Sequence, residues 1–548
     1  MSDASWLSES ERKRLSRKQP DGAIVAALAF TGLVASFMMT LVTPLLPELP
    51  HLLGVTQADA MWVVTATLLA AAVATPIGGR LGDLYGKRRI MLVLLGSLVL
   101  GSVIAAFSST LIPLVVGRAL QGAGLGVIAL GISILRDVLH RDRLGKAVAL
   151  VSATLGIGGA VGLPVSAVSS QYLDWRMLFW ASGALGAIGF VLVITIVPVS
   201  TLRSPGSFDF VGAIGFAVGL VGILLGVSKG AAWGWTSPLT LGTTLGGIAV
   251  LGLWAWYELS ISSPLIDIRV SMRRSVLLTN LASVTVGFAF FATAVALPLL
   301  LESPTDTGVG FGQSMLIASL CLMPSGIVMW AMSGAAARLT DRHGARTSLF
   351  LGIALIAVGY LLAIWLMTEV WHTVLIATLV GFGVGFAYAA MPTLIMAAVP
   401  ASETAGANGL NSVMRTLGST AASAVIGVIL SVNIVTVNGV TTPNEFGFKL
   451  SFALCAGAAL IGLVLTLLLP KRQPRYDTAS LPVQQSASSS RFFRGRSRQA
   501  PVDQSAASTS TGWKNSRTKR FVSVSSPKPS RAFSHCEMFP GNTAMKSS

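Results

Sequence analysis

Two short charged stretches carry the residues of this sequence that could do chemistry. The first reads Gly79-Arg80-Leu81-Gly82-Asp83-Leu84-Tyr85-Gly86-Lys87-Arg88-Arg89. The second follows 258 residues later and reads Arg338-Leu339-Thr340-Asp341-Arg342-His343-Gly344-Ala345-Arg346. Both fit the pattern R-L-x-D-x-x-G-x-R, and both lie between long apolar runs. The carboxylates of Asp83 and Asp341 are placed to cap free N–H groups of the next helix or to pair with an arginine of a neighbouring helix.

These stretches are expected to be tight loops at a membrane surface, because neither their charges nor their turns would be stable in hydrocarbon. Gly86 and Gly344 permit a sharp turn with positive φ, and the arginines favour the cytoplasmic face. A repeated loop predicts two halves of similar architecture. The predicted gating residues are Gly79, Arg80, Asp83, Gly86, Arg88, Arg338, Asp341, Gly344 and Arg346.

The composition indicates which elements position these loops. Of the 548 residues, 53% are hydrophobic and only 11% are charged, whereas a soluble protein would carry about 25% charged residues. The mean hydropathy is +0.73. Apolar runs recur from residue 22 to residue 469, and each is long enough to cross about 30 Å of hydrocarbon. The sequence therefore predicts an all-α polytopic membrane protein, and it shows no signal peptide because the first apolar run is too long for one.

Fourteen membrane spans are predicted, grouped as six, two and six. They are 22–46, 61–79, 90–108, 111–133, 147–169 and 177–198, then 209–228 and 239–257, then 276–300, 313–333, 348–367, 372–397, 406–432 and 450–469. Five regions follow from them: a tail over 1–21, a six-helix half over 22–198, two linker helices within 199–270, a second six-helix half over 271–470, and a disordered basic tail over 471–548.

Lysine and arginine counts predict the orientation. The loops assigned to the inside carry fifteen of these residues, and the loops assigned to the outside carry only Arg176, Lys229 and Lys449. Both termini are therefore expected in the cytoplasm. The formal net charge of +17 arises mostly from the C-terminal tail, which alone carries 14 Lys and Arg against 3 Asp and Glu. It predicts contact with anionic lipid, or a solvated tail, and no nucleic-acid partner.

The first loop resembles the signature loop of the major facilitator superfamily, and the second resembles its weaker counterpart. Because the repeat spans eight helices, the closest resemblance is to the fourteen-helix drug:proton antiporter family. Trp62-Val63-Val64-Thr65-Ala66 at the start of helix 2 and Pro264-Leu265-Ile266-Asp267 before helix 9 support it. The resemblance implies the major facilitator fold, with two six-helix halves plus two central helices. It also implies a plasma-membrane exporter that exchanges drugs for protons.

Residues for proton coupling follow from the same resemblance. Arg118 matches a membrane-buried arginine implicated in proton transfer, although an arginine near a helix end could instead reach water. The acidic residue usual in helix 1 is absent, because Met38 occupies its place. Glu48 is then the most plausible carboxylate for coupling, and a simple loop cap is its alternative. Arg415 in helix 13 is expected to form a structural pair.

Helix 5 and the central cavity complete the predicted site. Gly158, Gly162 and Pro164 resemble the antiporter signature and predict flexible packing, although Leu163 replaces its usual proline. Soft side chains suited to varied apolar substrates could line a cavity between the halves. The cavity candidates are Met38, Met39, Phe288, Phe291, Met323, Trp330, Tyr388 and Met391.

The sequence predicts a monomeric exporter of hydrophobic or amphipathic small molecules, with protons and membrane lipids as its other partners. An exporter dedicated to one endogenous metabolite or lipid is the nearest alternative, and a membrane sensor or scaffold is a more distant one. Cys321, Cys455 and Cys536 have no metal-ligand spacing. No cofactor or metal is expected, and no cluster of catalytic residues predicts an enzyme.

Overall fold

The structure is a computed structural model that describes residues 20–470, apart from Pro47, residues 200–203, Pro205, Ser262 and residues 438–439. Nearly all of the predicted N-terminal tail lies outside the described residues. The whole predicted C-terminal tail lies outside them as well.

Within the described residues, thirteen helices are long and apolar enough to cross a membrane, and a fourteenth is broken by a bend of 40°. Helices can span hydrocarbon because they satisfy every backbone hydrogen bond internally. The first half contains α1 (Asp21–Thr40), α2 (Trp62–Tyr85), α3 (Lys87–Ala106), α4 (Leu111–Val138, with a 3-10 turn at Gly124–Gly126), α5 (Arg141–Tyr172) and α6 (Arg176–Ile196).

Two central helices and a second set of six follow. The central pair is α7 (Phe210–Trp233) and α8 (Pro238–Ser260). The second half contains α9 (Arg274–Glu302), the broken α10 (Met315–Ala331 and Ser333–His343), α11 (Ala345–Trp365), α12 (Val370–Ala398), α13 (Thr404–Val432) and α14 (Glu445–Leu467). Short helices lie at Leu49–Leu53, Gln57–Ala60 and Ile268–Ser271, with 3-10 turns at Thr305–Thr307 and Ala401–Glu403.

Each half buries its own core. In the first half, Leu28, Leu95 and Val148 belong to one buried cluster from α1, α3 and α5. In the second half, α9, α11 and α14 contribute Val286, Ile353 and Phe452 to another cluster. The turns α2–α3 and α10–α11, which hold the two repeated stretches, lie at one face of the bundle, called the loop face from here on.

Several helices extend beyond the predicted spans. The helix α2 was predicted to end at residue 79 but continues to Tyr85, and α5 begins at Arg141, not at residue 147. Hydropathy detects the apolar part of a helix, whereas the backbone hydrogen bonds continue through polar residues until the chain turns. The turn itself is Gly86, with φ 110°. Arg80 and Asp83 therefore lie in the last turns of α2, and the prediction of a loop over this whole stretch was wrong.

A small hairpin joins α13 to α14. Strand β1 (Ile434–Val437) pairs antiparallel with β2 (Val440–Pro443), so that Ile434 faces Pro443 and Val437 faces Val440. No strand was predicted here.

The central pair of helices packs unequally. Helix α7 lies between the halves, where Phe216 and Leu220 pack with Ala72 of α2 and Leu410 of α13. Helix α8 packs mainly on α7 and leaves large apolar side chains exposed, with Trp256 71% exposed. The α7 helix thus covers one seam between the two halves.

Candidate functional site

Asp83 joins the two halves at the loop face. Its side chain is 1% exposed, and its carboxylate accepts hydrogen bonds from the backbone N–H groups of Gly406 (2.9 Å) and Ala405 (3.4 Å). These groups are at the N-terminus of α13, where a helix has unpaired N–H groups and partial positive charge. Asp83 therefore caps a helix of the opposite half, and not the next helix as predicted.

Lys87 holds Asp83 from within the first half. Its ammonium lies 2.7 Å from Asp137 Oδ2 and 3.8 Å from Asp83 Oδ1. All three side chains are at most 3% exposed. Buried charges are stable only when paired and hydrogen-bonded, so the cluster fixes the position of the carboxylate that reaches α13. The expected arginine partner of Asp83 is a lysine in the structure.

Gly79 and Arg80 complete this contact. A Cβ at Gly79 would lie 2.5 Å from the carbonyl oxygen of Ala405, so any side chain would push α13 away from α2. Arg80 is 9% exposed and lines a cavity of about 220 Å³ together with Asp267 and Glu403. At the first loop the halves thus contact each other through a buried charged group.

The second loop repeats the turn but not the buried contact. Gly344 turns the chain with φ 88°. Asp341 and Arg338 are both exposed, and neither has a described hydrogen bond or ion pair. Asp341 Oδ1 lies 2.9 Å from where a Cβ on Gly145 of α5 would be. Asp341 therefore also lies beside the start of a helix in the opposite half, without a described hydrogen bond to it.

The last arginine of each repeat makes the same contact within its own half. Arg88 Nη2 donates to the carbonyl of Ile194 near the C-terminus of α6, at 2.5 Å. Arg346 donates to the carbonyl of Thr466 (3.1 Å) and to that of Leu467 (2.7 Å), at the C-terminus of α14. A cation is favourable at a helix C-terminus. These two residues therefore fasten the last helix of each half to the turn.

Two residues that were not predicted as gating residues, Arg136 and Ser204, also bridge the halves. Arg136 of α4 donates to the carbonyl of Val399 (3.1 Å) and to Thr404 Oγ1 (2.5 Å). Ser204, in the connection before α7, donates its N–H to the carbonyl of Asp83 (2.8 Å) and its hydroxyl to that of Ser402 (2.6 Å). Within the second half, Arg273 donates to the carbonyl of Ala398 (3.1 Å) and ties the start of α9 to the end of α12. Arg136 could have been found from the sequence, because it lies at the end of an apolar run. Nothing in the sequence distinguishes Ser204.

Arg118 is completely buried in the first half. Its Nη1 donates to the carbonyl of Met38 (3.1 Å) and to Gln121 Oε1 (2.9 Å), and Gln121 in turn donates to Ser102 Oγ (2.7 Å). No carboxylate of a described residue lies within 4.0 Å of the Arg118 guanidinium. Thus the backbone of Met38, the residue at the usual acidic position, accepts the hydrogen bond that an acid would be expected to take.

The cavity candidates fall into three groups. Met38 and Met391 are fully buried in core clusters, and Tyr388 is 6% exposed. Met39, Phe288, Phe291 and Met323 are partly buried, and Trp330 is 42% exposed. Only the partly exposed residues, together with Tyr388, can border an open space in this conformation.

Glu48 and the helix 5 residues lie apart from the loop face. Glu48 is exposed and precedes the short helix Leu49–Leu53. Pro164 lies inside α5. A Cβ at Gly158 would lie 2.6 Å from Ser36 Cβ of α1, so this glycine permits close contact of α5 with α1. Gly162 likewise meets α1, at Thr40.

The described helices, their membrane-spanning lengths and the repeated turns define an all-α multi-pass membrane protein. The chain belongs to the Major Facilitator Superfamily, whose family model matches residues 28–266 and 279–526. The crystal structure of the human organic anion transporter MFSD10 (TETRAN) is similar with a TM-score of 0.60 and 17% identity, over 82% of this chain and all of that one. That similarity shows the major facilitator fold.

Curated relatives agree with the family. The MFS-type transporter Rv1877 of Mycobacterium tuberculosis (strain ATCC 25618 / H37Rv) is 30% identical over 344 residues, 62% of this chain and 49% of that protein. The matched residues thus span about half the length of this relative. Multidrug resistance protein Stp of the same strain is 26% identical over 404 residues, 73% of this chain and 74% of that protein.

Proposed function

We propose that this protein is a secondary transporter of the fourteen-helix drug:proton antiporter family. It exports hydrophobic or amphipathic small molecules by alternating access, in exchange for protons. It lies in the plasma membrane with the loop face and both termini in the cytoplasm. The basic residues concentrated in the loop-face connections support this orientation.

The hydrogen bonds that the Asp83 carboxylate accepts from the N–H groups of Ala405 and Gly406 carry the proposal. They hold the two halves together at the loop face only while α2 and α13 are adjacent, so they must break when that face opens. Alternating access in such repeats is a movement of one half against the other around a central site. A sensor or scaffold without transport has no need for a contact that breaks and re-forms.

The substrate class is supported by the relatives and by the site. Stp is named a multidrug resistance protein. Partly buried aromatic and methionine side chains of α9 and α10, including Phe288, Phe291 and Met323, suit varied apolar compounds.

Transport in everted membrane vesicles tests the proposal. A panel of hydrophobic and amphipathic compounds is supplied with and without an imposed pH gradient, and vesicles without the protein serve as the control. We expect uptake of several panel compounds, stimulated by an acidic vesicle lumen. If no compound is taken up above the control, the export function is wrong.

Glu48 is the residue proposed for proton coupling, and Glu48→Gln in the same vesicles examines it. We expect the pH stimulation to be lost while exchange of substrate down its own gradient remains, because glutamine cannot release a proton. A wild-type pH response in Glu48→Gln rules this residue out. If the unmodified protein shows no pH response, it is a facilitator or is coupled to another ion.

A further inference from the structure

The second half holds an arginine at mid-membrane for which no acidic partner is described. Arg415 lies 11 residues after Thr404, the first residue of α13, which places it about 16 Å from the loop-face end of that helix. Its guanidinium carbon lies 4.7 Å from the centre of the Tyr388 ring on α12. Tyr388 is ten residues from the loop-face end of its own helix, so the two side chains meet at the same depth.

Among the residues that the structure describes, no acid lies in the interior of either half to compensate this charge. Every carboxylate of the described residues lies in a connection or within one turn of a helix end. A charged side chain in mid-span costs at least about 2.5–3.5 kcal/mol and usually marks a functional site or a cavity. The described contact of Arg415 that fits a structural pair is with the Tyr388 ring, and no carboxylate of a described residue takes that place.

Arg415 and Arg118 differ in what surrounds the guanidinium. Arg118 is 1% exposed and donates two described hydrogen bonds. Arg415 remains partly accessible although protein surrounds it, and its one described hydrogen bond is from Nη2 to Ser412 Oγ, at 3.2 Å. A guanidinium has five N–H donors in a planar fork. Arg415 therefore has N–H donors without a described partner on a partly accessible side chain, whereas Arg118 is enclosed by its own half.

The Tyr388 ring beside Arg415 belongs to an aromatic pair. The Tyr388 ring packs edge-on against Phe290 of α9, with ring centroids 6.1 Å apart, and the Tyr388 hydroxyl has no described hydrogen-bond partner. A planar fork of N–H groups matches a carboxylate, sulfonate or phosphate in two-point geometry. The rings beside it offer an apolar surface for the body of the same molecule. One small molecule with an anionic group and an apolar body could bond to the guanidinium and pack on the rings at the same time.

Building on the proposed export function, we propose that Arg415 and Tyr388 form an anion-recognising subsite. The exported compounds then include amphipathic organic anions, with an aromatic or apolar body and one carboxylate, sulfonate or phosphate group. The anionic group bonds to Arg415, and the body packs on the Tyr388 and Phe290 rings. The positive charge of Arg415 rejects organic cations, because no carboxylate of the described residues lies in mid-span to pair with them.

Binding to the purified full-length protein in lipid nanodiscs tests this subsite. Three probes share one naphthalene ring: 2-naphthoate, 2-naphthalenemethanol and the trimethylammonium derivative of naphthylmethane. We expect 2-naphthoate to bind most tightly and the ammonium compound least tightly. In Arg415→Gln the dissociation constant for 2-naphthoate should rise about 10- to 100-fold, the range for a hydrogen bond to a charged group. The dissociation constant of Arg415→Gln for the neutral 2-naphthalenemethanol should stay within about twofold of the wild-type value.

Matched variants separate the charge from the geometry. Arg415→Lys keeps the charge without the planar fork and should weaken 2-naphthoate binding less than Arg415→Gln does. Tyr388→Phe keeps the ring and removes only the hydroxyl. Lys449→Gln removes an exposed cation that pairs with Glu445 and should leave all three affinities unchanged.

The inference is overturned if the ammonium probe binds more tightly than 2-naphthoate, or if Arg415→Gln binds 2-naphthoate as wild type does. Should Arg415→Gln fail to give a monodisperse protein, the wild-type order of the three probes and the Arg415→Lys variant decide. The binding result is independent of vesicle transport. If panel compounds are taken up but 2-naphthoate is bound no more tightly than the other two probes, only the subsite is refuted. If no compound is taken up, the export function is refuted.

Discussion

The two repeated stretches fold alike and act differently. Each ends a helix, turns at a glycine of positive φ and fastens the last helix of its half through an arginine, Arg88 or Arg346. Only the first stretch, however, buries its aspartate and bonds it to the opposite half. Asp83 is 1% exposed, whereas Asp341 is exposed with no described hydrogen bond.

Two sequence positions explain this difference. Lys87, which positions Asp83, corresponds to Ala345 in the second stretch, so the equivalent position carries no cation to hold the aspartate. Gly79, which lets α2 approach Ala405, corresponds to Ala337, which carries the methyl group that Gly79 lacks. Both stretches therefore keep the turn and the fastening of each half. Only the first stretch forms the latch between the halves, which is the contact of Asp83 with Ala405 and Gly406.

The largest loss of transport is expected from Asp83→Asn. An amide of the same size loses the charge that strengthens the hydrogen bonds to Ala405 and Gly406, and bonds to charged groups contribute about 1.5–3 kcal/mol. We expect uptake in everted vesicles to fall at least about tenfold with normal abundance of the protein in the membrane. Wild-type uptake by Asp83→Asn at normal abundance would remove the latch from the mechanism.

The separation of the two halves at the loop face can be measured directly in Asp83→Asn. Spin labels on His140→Cys and His343→Cys, two exposed positions of opposite halves at the loop face, report the separation of the halves in a background without native cysteines. We expect the distance distribution of Asp83→Asn to shift toward longer values. An unchanged distribution would mean that Asp83 affects transport without holding the face closed.

Part of this site could be predicted from the sequence. The repeat, both turn glycines and the charged residues were evident, because they interrupt long apolar runs. The partners of Asp83 could not be predicted, since they are backbone N–H groups more than 300 residues away, and backbone groups have no sequence signature. The same holds for Arg136 and Ser204, which bond mainly to carbonyl groups. Asp83 was therefore assigned to the next helix, when its partner is α13.

The fold was predicted better than its boundaries. The spans followed from hydropathy, which could not show that α2 continues to Tyr85. The hairpin at Ile434–Val437 and Val440–Pro443 was missed, although Asn-Gly between two β-branched runs is a strong hairpin signal. The roles of Arg118 and Arg415 depend on which helices enclose each guanidinium, and only the packed structure gives that information.

A smaller effect is expected from Gly79→Ala. The added methyl group would lie 2.5 Å from the Ala405 carbonyl oxygen, and overpacking of this kind costs about 1–3 kcal/mol. The cost applies only while the loop face is closed. Uptake should therefore fall severalfold, and the spin-label distances should lengthen. The matched control is Gly334→Ala in α10, where an added Cβ meets no atom within 4 Å. Equal effects of the two substitutions would show that helix stiffness, and not the contact with α13, is responsible.

The smallest effect is expected from Asp341→Asn. Its size shows how much less the second aspartate contributes to closing the loop face than Asp83 does. The exposed carboxylate lies beside Gly145 at the start of α5 without a described hydrogen bond. Its attraction to the helix terminus is therefore about 0.3–1 kcal/mol and is screened by salt. Uptake by Asp341→Asn should fall by less than about fivefold, with a larger decrease at low ionic strength.

The double variant Asp83→Asn/Asp341→Asn completes this test. If the two aspartates act at separate contacts, their effects on the free energy of closing should add to within about 0.5 kcal/mol. A loss in Asp341→Asn as large as that in Asp83→Asn would contradict the asymmetry. It would mean that α10 moves until Asp341 caps α5, as Asp83 caps α13, in a conformation that the transport cycle visits.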